Sequence, residues 1–592
     1  MIRGTFFGIE IGKTGLTTAQ FGLDVTGHNI SNLDTDGYTR QRIVQTAYDP
    51  FSTIGRFAPV GQGLVGGGTR VKILDQIRSA YLDRRFRTES TAHAYWEQRT
   101  QSLSYIRSFF DNVNEKTSIN YSMAEFFRSM TIVSHDTVAG APRTLMQTTA
   151  MDLVQQLNMV HQGLLDFQAV ENRAIVTKTG DINRMAEHIA ELNKAIYGFE
   201  ITGMIANDLR DKRNLLVDEL ATYIDIEYEE YPDMFGQSMF RIRIAGDILV
   251  DHDRSFTLEV RDIPNPIPGG EPLSIPYWSH KMDALVERPH PDDDRLIWNA
   301  YWENVRDALL EDWNSEHSSA ILDMDRITGG MLKSHYDMRD GIGGGVNSTN
   351  RGLPYYIEMV NDLARALVFE INNQHIQGWS DNANGPSRTD ILFFDALDEN
   401  GQSILTNPAF IKYYAADGTE VPGQDHPDYA FKRFELPDDV LRQITANNFT
   451  LSQDIQNSAY NIAASSTPIG RPGDPPELQR GNNNNILDLY KLFSKPGITM
   501  LGRDIGTFDD YGTVIRFDVG NTMHTAEQMR ETARILTLAA NNQRTAIAGV
   551  SLDEEMVGLV KFNHAYNGAA RVITQMDDAL DRLINGTGRV GL

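Results

Sequence analysis

The chain of 592 residues contains no cysteine. This absence excludes disulfides, thiolate catalysis and cysteine-ligated zinc. No apolar run approaches the roughly 18–20 residues that a membrane-spanning helix needs, so we expect no membrane insertion. The opening MIRGTFFGIEIGKTG carries a charge at Glu10 and lacks the apolar core of a cleaved secretory signal. The composition fits a protein that stays in the cell, or one exported unfolded by a route that reads no such signal.

Basic residues are in the minority, with 54 Lys and Arg against 80 Asp and Glu and a formal net charge of −26. Nucleic-acid-binding proteins concentrate Lys and Arg on one face, so we expect no nucleic-acid partner. The densest basic stretch consists of Arg84, Arg85 and Arg87 beside acidic neighbours. We interpret it as a solvated helix face.

Nucleotide-binding motifs are also scarce. Residues Gly12–Thr14 read GKT, the end of a phosphate-binding loop. The first glycine of such a loop would fall at Phe7, and no strand precedes it. We therefore expect Lys13 to be an exposed helix residue.

Metal-binding patterns are equally incomplete. Residues Ser380–Gly385, SDNANG, resemble the opening of a calcium loop, but Ile391 replaces the glutamate of its twelfth position. Residues His290–Asp294, HPDDD, form one acidic cluster without a second set of ligands. We interpret the first as a turn rich in Asn and the second as a solvated surface cluster. No paired acids or nucleophile with its base can be named, so we expect no metal site, no cofactor and no enzyme activity.

Apolar residues do recur at helical spacing at both ends of the chain. Narrow stripes of this kind are buried only against another helix, so we expect the two ends to pair with each other or with copies of themselves. The N-terminal stripe consists of Ile9, Leu16, Leu23 and Ile30, with the small residues Gly12, Ala19 and Thr26 between them. The C-terminal stripe includes Leu552, Leu559, Phe562, Tyr566, Ile573 and Leu580. The ten large residues are the predicted assembly interface.

A polar cluster, HNISNLDTDGYTRQR at residues 28–42, follows the first stripe. Asn and Asp side chains bond their own backbone and glycine adopts positive φ, so this cluster predicts a turn. The turn residues are Asn29, Asn32, Gly37, Tyr38 and Arg40. Two roles remain open for Tyr38 and Arg40, contact with a neighbouring subunit or locking of the turn itself.

The middle of the chain alternates between helical and strand patterns. No proline occurs between Pro142 and Pro232, and Ile182, Met185, Ile189, Leu192 and Ile196 step by three and four. This spacing predicts long helices packed lengthwise. The segment MFRIRIAGDILV, residues 239–250, alternates as a strand does, and a helix is predicted from about Thr525 to Ala548. The four tryptophans that follow the strand pattern are interpreted as the core of a small mixed domain; they are Trp278, Trp298, Trp302 and Trp313.

These patterns predict a multidomain α+β fold, in which coiled-coil-like terminal helices and a long helical bundle stalk carry inserted β-rich domains. The predicted domains are residues 1–50 with 550–592 as an inner terminal-helix domain, 51–228 with 326–394 and 486–549 as the stalk, 229–325 as a β-rich mixed insertion, and 395–485 as a second β-leaning insertion with a hinge loop.

Four stretches carry a resemblance to a known family. HNISN followed by DGYTRQ resembles the motif that closes the N-terminal helix of axial proteins of the bacterial flagellum. Residues 189–226, 329–378 and 551–584 resemble the stalk helices, the mid-chain helical segment and the C-terminal helix of the hook-associated protein 1 family. The terminal motifs are shared with rod and hook proteins, whereas the internal stretches are similar to the junction family in particular.

The resemblance implies a structural subunit that forms the junction between hook and filament and is needed for filament assembly. It implies partners as well: copies of the chain in a ring, the hook protein, the second junction protein, the flagellar export apparatus and an export chaperone. The place implied is the extracellular flagellum, reached by type III export. The alternatives are a rod or hook subunit and, from another class, an enzyme carried on an axial stalk.

Overall fold

The computed structural model describes residues 6–48, 66–110, 118–283, 320–343, 350–381, 387–469 and 481–586. Helices dominate these ranges, and a π-helical turn, Leu367–Ile371, joins α8 to α9. The helices are α1 Phe7–Ser31, α2 Ala80–Phe110, α3 Ile119–His135, α4 Gly140–Glu200, α5 Asn207–Tyr223, α6 Ser279–Asp283, α7 Met331–Asp340, α8 Leu353–Ala366, α9 Asn372–His375, α10 Asp438–Gln443, α11 Gln453–Asn457, α12 Asn484–Lys491, α13 Phe508–Ala548 and α14 Leu552–Gly586.

The strands form small antiparallel sheets. Two of these sheets have more than two strands, in the orders β3-β4-β5-β6 and β11-β10-β12, and the remaining pairs are β1-β2, β7-β8, β9-β13 and β14-β15. The strands are β1 Gln41–Ala47, β2 Thr69–Gln76, β3 Glu227–Pro232, β4 Ser238–Ile244, β5 Asp247–Asp251, β6 Arg254–Ser255, β7 Leu258–Ile263, β8 Leu273–Trp278, β9 Phe394–Ala396, β10 Ile411–Ala415, β11 Glu420–Val421, β12 Tyr429–Phe434, β13 Phe449–Leu451, β14 Ile498–Met500 and β15 Arg503–Gly506. Long helices with small sheets confirm the predicted α+β class.

The long helix α4 is the axis of the stalk. It has 61 residues, which corresponds to about 90 Å at 1.5 Å per residue. Pro142 lies in its first turn, where a missing N–H costs no helical hydrogen bond. The predicted stripe is confirmed, since Ile182, Met185 and Ile189 are buried.

Two apolar cores lie along α4. Its first half packs with α2, α3 and α8, with apolar residues of the 391–464 region, and with the start of α13. Its second half packs with α5 and with strands β4, β5, β7 and β8. Trp278 is fully buried in this second core, as the sequence predicted. Trp298, Trp302 and Trp313 lie outside the described residues. The domain bounds themselves stay a prediction.

Helix α13 begins earlier than the sequence pattern indicated. We expected a start near Thr525, but the helix begins at Phe508. The hydroxyl of Thr507 accepts a hydrogen bond from the N–H of Asp510 at 3.1 Å and so caps the first turn. Two acidic residues in that turn interact favourably with the positive, N-terminal end of the helix dipole.

The interpretation of the basic stretch on α2 is wrong for Arg87. This side chain is buried, and its Nε donates to Asp218 of α5 at 2.6 Å. Arg544 of α13 also pairs with Asp218, so this carboxylate joins three helices. Arg84 is exposed, as expected, and Lys13 is an exposed residue of α1.

The described residues contain no helix that combines the length and the hydrophobicity needed to cross a bilayer. No group of three or more His, Asp or Glu side chains among them is placed to hold a metal ion. Residues His290–Asp294 lie outside the described residues, as does most of Ser380–Gly385.

Candidate functional site

Helices α1 and α14 form an antiparallel pair that brings the two ends of the chain together. Glycines of α1 face large side chains of α14, and a Cβ added at any of these glycines would lie 2.6–2.7 Å from its partner. The facing pairs are Gly8 with Met576, Gly12 with Ile573 and Gly22 with Phe562. Because these glycines have no side chain, the bulky residues of α14 fit directly against the backbone of α1.

The predicted interface residues surround this contact. Ile9, Leu16, Leu23 and Ile30 are half-buried, while the fully buried positions of α1 are mostly the small residues between them. On α14, Leu580 is buried, Leu552 is exposed, and the half-buried residues are Leu559, Phe562, Tyr566 and Ile573. The pair therefore leaves much of both apolar stripes accessible. Whether these residues contact another subunit stays a prediction.

Asn29, at the end of α1, is the centre of a polar joint. Its Oδ1 accepts hydrogen bonds from the Tyr38 hydroxyl at 2.8 Å and from the Gln41 N–H at 3.1 Å. Its Nδ2 donates to the Gln41 carbonyl at 2.8 Å and to Glu555 Oε2 at 3.1 Å. Asn29 is buried and all its side-chain donors and acceptors are used, so it ties α1, β1 and α14 together.

Arg40 bonds both the end of α13 and the start of α14. Its backbone N–H donates to the carbonyl of Ala548, the last residue of α13, at 2.9 Å. Its Nε donates to Glu555 at 2.7 Å, and its guanidinium also pairs with Glu554. Only residues 549–551 separate the two helices. Within one chain, Tyr38 bonds Asn29 at the end of α1, and Arg40 bonds the ends of α13 and α14. Which of the two predicted roles these residues have stays a prediction.

The joint also reaches α5. Gln41 Nε2 donates to Asp208 Oδ1 at 2.9 Å, and the Thr39 N–H donates to Asp211 Oδ2 at 3.0 Å. His28 lies 3.4 Å from Asp208. Burial raises the pKa of Tyr38, and the carboxylates of the joint raise it further, so its hydroxyl remains a neutral hydrogen-bond donor.

The two remaining motif residues shape the chain between α1 and β1. Asn32 lies just after α1, and its Nδ2 donates to the His28 carbonyl at 2.9 Å. Gly37 has a φ of +76°, which a glycine adopts without strain. The predicted turn is thus a helix cap followed by a glycine-dependent reversal into β1.

Sequence reasoning missed the acidic half of the joint. Glu554 and Glu555 lie in the first turn of α14, and Asp208 and Asp211 lie in the first turns of α5. Acidic residues at a helix start are the one available signal, but they are common there because they favour the helix dipole. Nothing local indicated that they pair with the motif at residues 28–42.

Two family models match the chain. The model described as the flagellar hook-associated protein FlgK helical domain matches residues 103–283. The model of the flagellar basal body rod FlgEFG protein C-terminal region matches residues 542–586.

The sequence is similar to proteins named flagellar hook-associated protein 1. The protein of Bacillus subtilis (strain 168) is 25% identical over 591 residues, which cover 99% of both chains. The protein of Escherichia coli (strain K12) is 22% identical over 614 residues, with 98% of this chain and 99% of that protein covered. Among solved structures, the flagellar hook junction protein FlgK from Burkholderia pseudomallei matches with a TM-score of 0.51 at 12% identity. That match covers 79% of this chain and 100% of the other, and it shows a shared fold.

Proposed function

The chain belongs to the flagellar hook-associated protein 1 family, and we propose that it is a structural subunit of the junction between flagellar hook and filament. The observation that carries this proposal is the extent of the similarity, which spans 99% of this chain and of the Bacillus subtilis protein. Similarity restricted to the ends would fit a rod or hook subunit equally well. We also propose that filament assembly requires this subunit.

The terminal pair fits the role of an assembly element. Its two helices contact each other through glycines of α1, and apolar residues of both helices remain accessible. Helices with so little core gain most of their stability from tertiary packing. Packing against the pairs of neighbouring copies would bury the remaining stripes, including Leu16, Leu23, Phe562 and Ile573.

The polar joint would hold the pair of α1 and α14 at a fixed orientation relative to the stalk. Asn29 and Arg40 connect α1 to α14 and to the end of α13, and Thr39 and Gln41 connect the same motif to α5. A subunit that links the hook to the filament has to transmit force between its terminal helices and its stalk. A buried, fully bonded polar joint resists rotation better than the three-residue link between α13 and α14 would alone.

The proposed partners are copies of the chain in a ring, the hook protein and the second junction protein. Export would use the flagellar export apparatus and an export chaperone, and the final location is the extracellular flagellum. Family membership supports association with other axial proteins, and we extend it to these partners. We propose no enzymatic activity, because the family is structural.

The test is a strain that lacks the gene, observed by electron microscopy with an assay for filament protein in the medium. Bare hooks with filament protein lost to the medium are the expected result. Missing hooks would instead support the alternative of a rod or hook subunit. Normal filaments would contradict both structural proposals and favour the alternative of an enzyme carried on an axial stalk.

A further inference from the structure

Asparagine is followed by glycine at several places in the chain, and two of these pairs lie on α14. The pairs are Asn384–Gly385, Asn400–Gly401, Asn567–Gly568 and Asn585–Gly586, of which the first lies outside the described residues. In such a pair the backbone nitrogen of the glycine can attack the side-chain amide of the asparagine, because glycine has no side chain to obstruct the approach. The pairs are therefore candidate sites of spontaneous deamidation.

Asn567 and Gly568 lie on the exposed side of α14. The Asn567 Nδ2 donates to Asn563 Oδ1, one turn earlier in the helix, at 2.8 Å. A Cβ added at Gly568 would meet no atom of the described residues within 4 Å, in contrast to Gly12 and Gly22 of α1. No packing contact in the described part of the chain therefore requires a glycine at position 568, although glycine weakens the interior of a helix.

The helical conformation protects Asn567 from this reaction. In an α-helix the N–H of each residue donates to the carbonyl four residues earlier, which occupies the Gly568 nitrogen. A helical ψ of about −42° also keeps the nitrogen of the next residue away from the side-chain Cγ. Deamidation at Asn567 therefore requires that α14 opens locally.

Helix α14 has few contacts that oppose such an opening. Its fully buried residues are Glu555 and Leu580, which lie 12 and 13 positions from Asn567, and Phe562 and Ile573 are only half-buried. Segments with few buried apolar contacts open at low free-energy cost without unfolding of the rest of the chain. Asn567 of an unassembled chain therefore reaches the reactive conformation through opening of α14 alone.

We propose that Asn567 is a site of spontaneous deamidation in the unassembled chain and that assembly protects it. The backbone nitrogen of Gly568 attacks Asn567 Cγ, the bond from Cγ to Nδ2 breaks, and ammonia leaves with the backbone proton. Water then opens the cyclic succinimide to aspartate or isoaspartate. The net reaction converts one amide and one water into a carboxyl group and ammonia. Asn585, in the last turn of α14, reacts in the same way.

Isoaspartate at position 567 disrupts the terminal pair. It lengthens the backbone by one carbon atom, so the helical hydrogen bonds that span this position cannot form. The position lies between the contact of Phe562 with Gly22 and the contact of Ile573 with Gly12. An additional backbone atom between these contacts shifts one relative to the other. A chain that remains unassembled for long therefore loses the α14 surface that packs against α1.

Peptide mapping by mass spectrometry measures the reaction in soluble monomer, both folded and unfolded in urea at pH 7.5. The ratio of the unfolded rate to the folded rate is the protection factor of each asparagine. We expect a protection factor below about 10³ at Asn567, because a reaction that waits for unfolding of a whole domain is slowed by about 10³-fold or more. A larger factor at Asn567 overturns the proposal.

Gly568→Ala is the matched variant, because its Cβ fits without a clash and hinders the attack on Asn567. We expect deamidation of Asn567 to slow at least about tenfold, since alanine also stabilises the helix. The rate at Asn400 should not change. That asparagine lies in a separate turn, in which Asp398 accepts the N–H groups of Asn400 at 2.9 Å and Gly401 at 3.0 Å. An unchanged rate at Asn567 overturns the proposed route through Gly568.

Purified flagella incubated in parallel test the protection by assembly, which rests on the proposed function because neighbouring copies would cover α14. We expect deamidation of Asn567 to be at least about tenfold slower in flagella than in monomer, since coverage by neighbours opposes local opening. Equal rates in the two states overturn the protection. Absence of the chain from flagella would instead contradict the proposed function, and the monomer measurement would still decide whether Asn567 reacts.

Discussion

Gly22 of α1 packs directly against the ring of Phe562 of α14. A Cβ built on Gly22 would lie 2.6 Å from the ring, well inside van der Waals contact. The ring thus occupies the space that any other residue at position 22 would need. The separation of the two terminal helices is set by this contact and by the equivalent contacts of Gly8 and Gly12.

Replacing this glycine should weaken the terminal pair. Gly22→Val introduces atoms that collide with Phe562, and overpacking of this kind costs about 1–3 kcal/mol. We expect roughly a tenfold or greater loss of the chain from purified flagella, measured by quantitative immunoblotting. Gly27→Ala is the matched control, since a Cβ at Gly27 meets nothing within 4 Å. Equal incorporation of the two variants would show that close approach of α1 and α14 is not needed for assembly.

The sequence predicted the long helices well because their signal is local. The stripe of Ile182, Met185 and Ile189 on α4 and the alternation in residues 239–250 each depend on near neighbours along the chain. Only a turn at Ala245 and Gly246 interrupts that alternation, and both residues have positive φ. The start of α13 was missed because Gly512 and Gly520 hide the helical pattern of its first half.

The contact surface of α1 was only partly predictable. Heptad spacing identified Ile9, Leu16, Leu23 and Ile30, but the most buried face belongs to Gly12 and the other small residues between them. A search for apolar periodicity identifies large apolar side chains and does not detect glycine. The pattern therefore identified residues beside the contact and not those at its centre. The polar joint could not be predicted from the sequence, because the bonded residues Asn29 and Glu555 are 526 positions apart in the chain.

The buried amide of Asn29 should not tolerate a carboxylate. Asn29→Asp would place an acceptor oxygen towards the Gln41 carbonyl and Glu555, where the natural Nδ2 donates to both. Loss of these bonds with two acceptors facing each other costs about 1–3 kcal/mol. We expect faster hydrogen exchange at residues 552–560 in the monomer and reduced incorporation into flagella.

The control for this variant is Asn32→Asp. Asn32 lies three residues away, and its side-chain bonds to His28 and Thr35 are exposed to solvent. Water can replace them, so the change should stay within about 0.5 kcal/mol. If both variants assembled equally well, the buried joint would have no role in holding α14.

Amide hydrogen exchange of the soluble monomer should distinguish the terminal pair from the stalk. In α14, Glu555 and Leu580 are buried while the other side chains are exposed or half-buried, whereas α4 is buried along its length on one face. Regions with few buried apolar contacts open at low free-energy cost. We expect fast exchange at Leu16–Leu23 and Leu559–Ile573 and slow exchange in α4. Slow exchange at the terminal segments would mean that the pair is already stable before assembly.

Two buried histidines should make the stalk sensitive to acid. Burial lowers the pKa of His161 to about 4, with a smaller opposing effect of Glu358, and burial also lowers the pKa of His375 to about 4. Both are below the value of about 6.5 for an unfolded chain, so the unfolded state binds more protons between these limits. The free energy of unfolding is therefore highest above about pH 6.5. It falls as the pH is lowered towards 4, by up to about 3 kcal/mol for each histidine.

The two histidines differ in their hydrogen bonds, and substitution with leucine separates bonding from burial. His375 bonds the Ile391 carbonyl at 2.7 Å and accepts the Ala463 N–H at 2.8 Å, whereas neither nitrogen of His161 has a partner among the described residues. His161→Leu should keep or raise the free energy of unfolding at pH 7.5 and weaken its decline at pH 5, because an unpaired polar group is removed. His375→Leu should lower it at both pH values, since two buried backbone groups lose their partner. Urea unfolding of the monomer at the two pH values measures both effects. A His161→Leu variant with lower stability and an unchanged pH slope would mean that His161 is hydrogen-bonded and already titrates normally in the folded stalk.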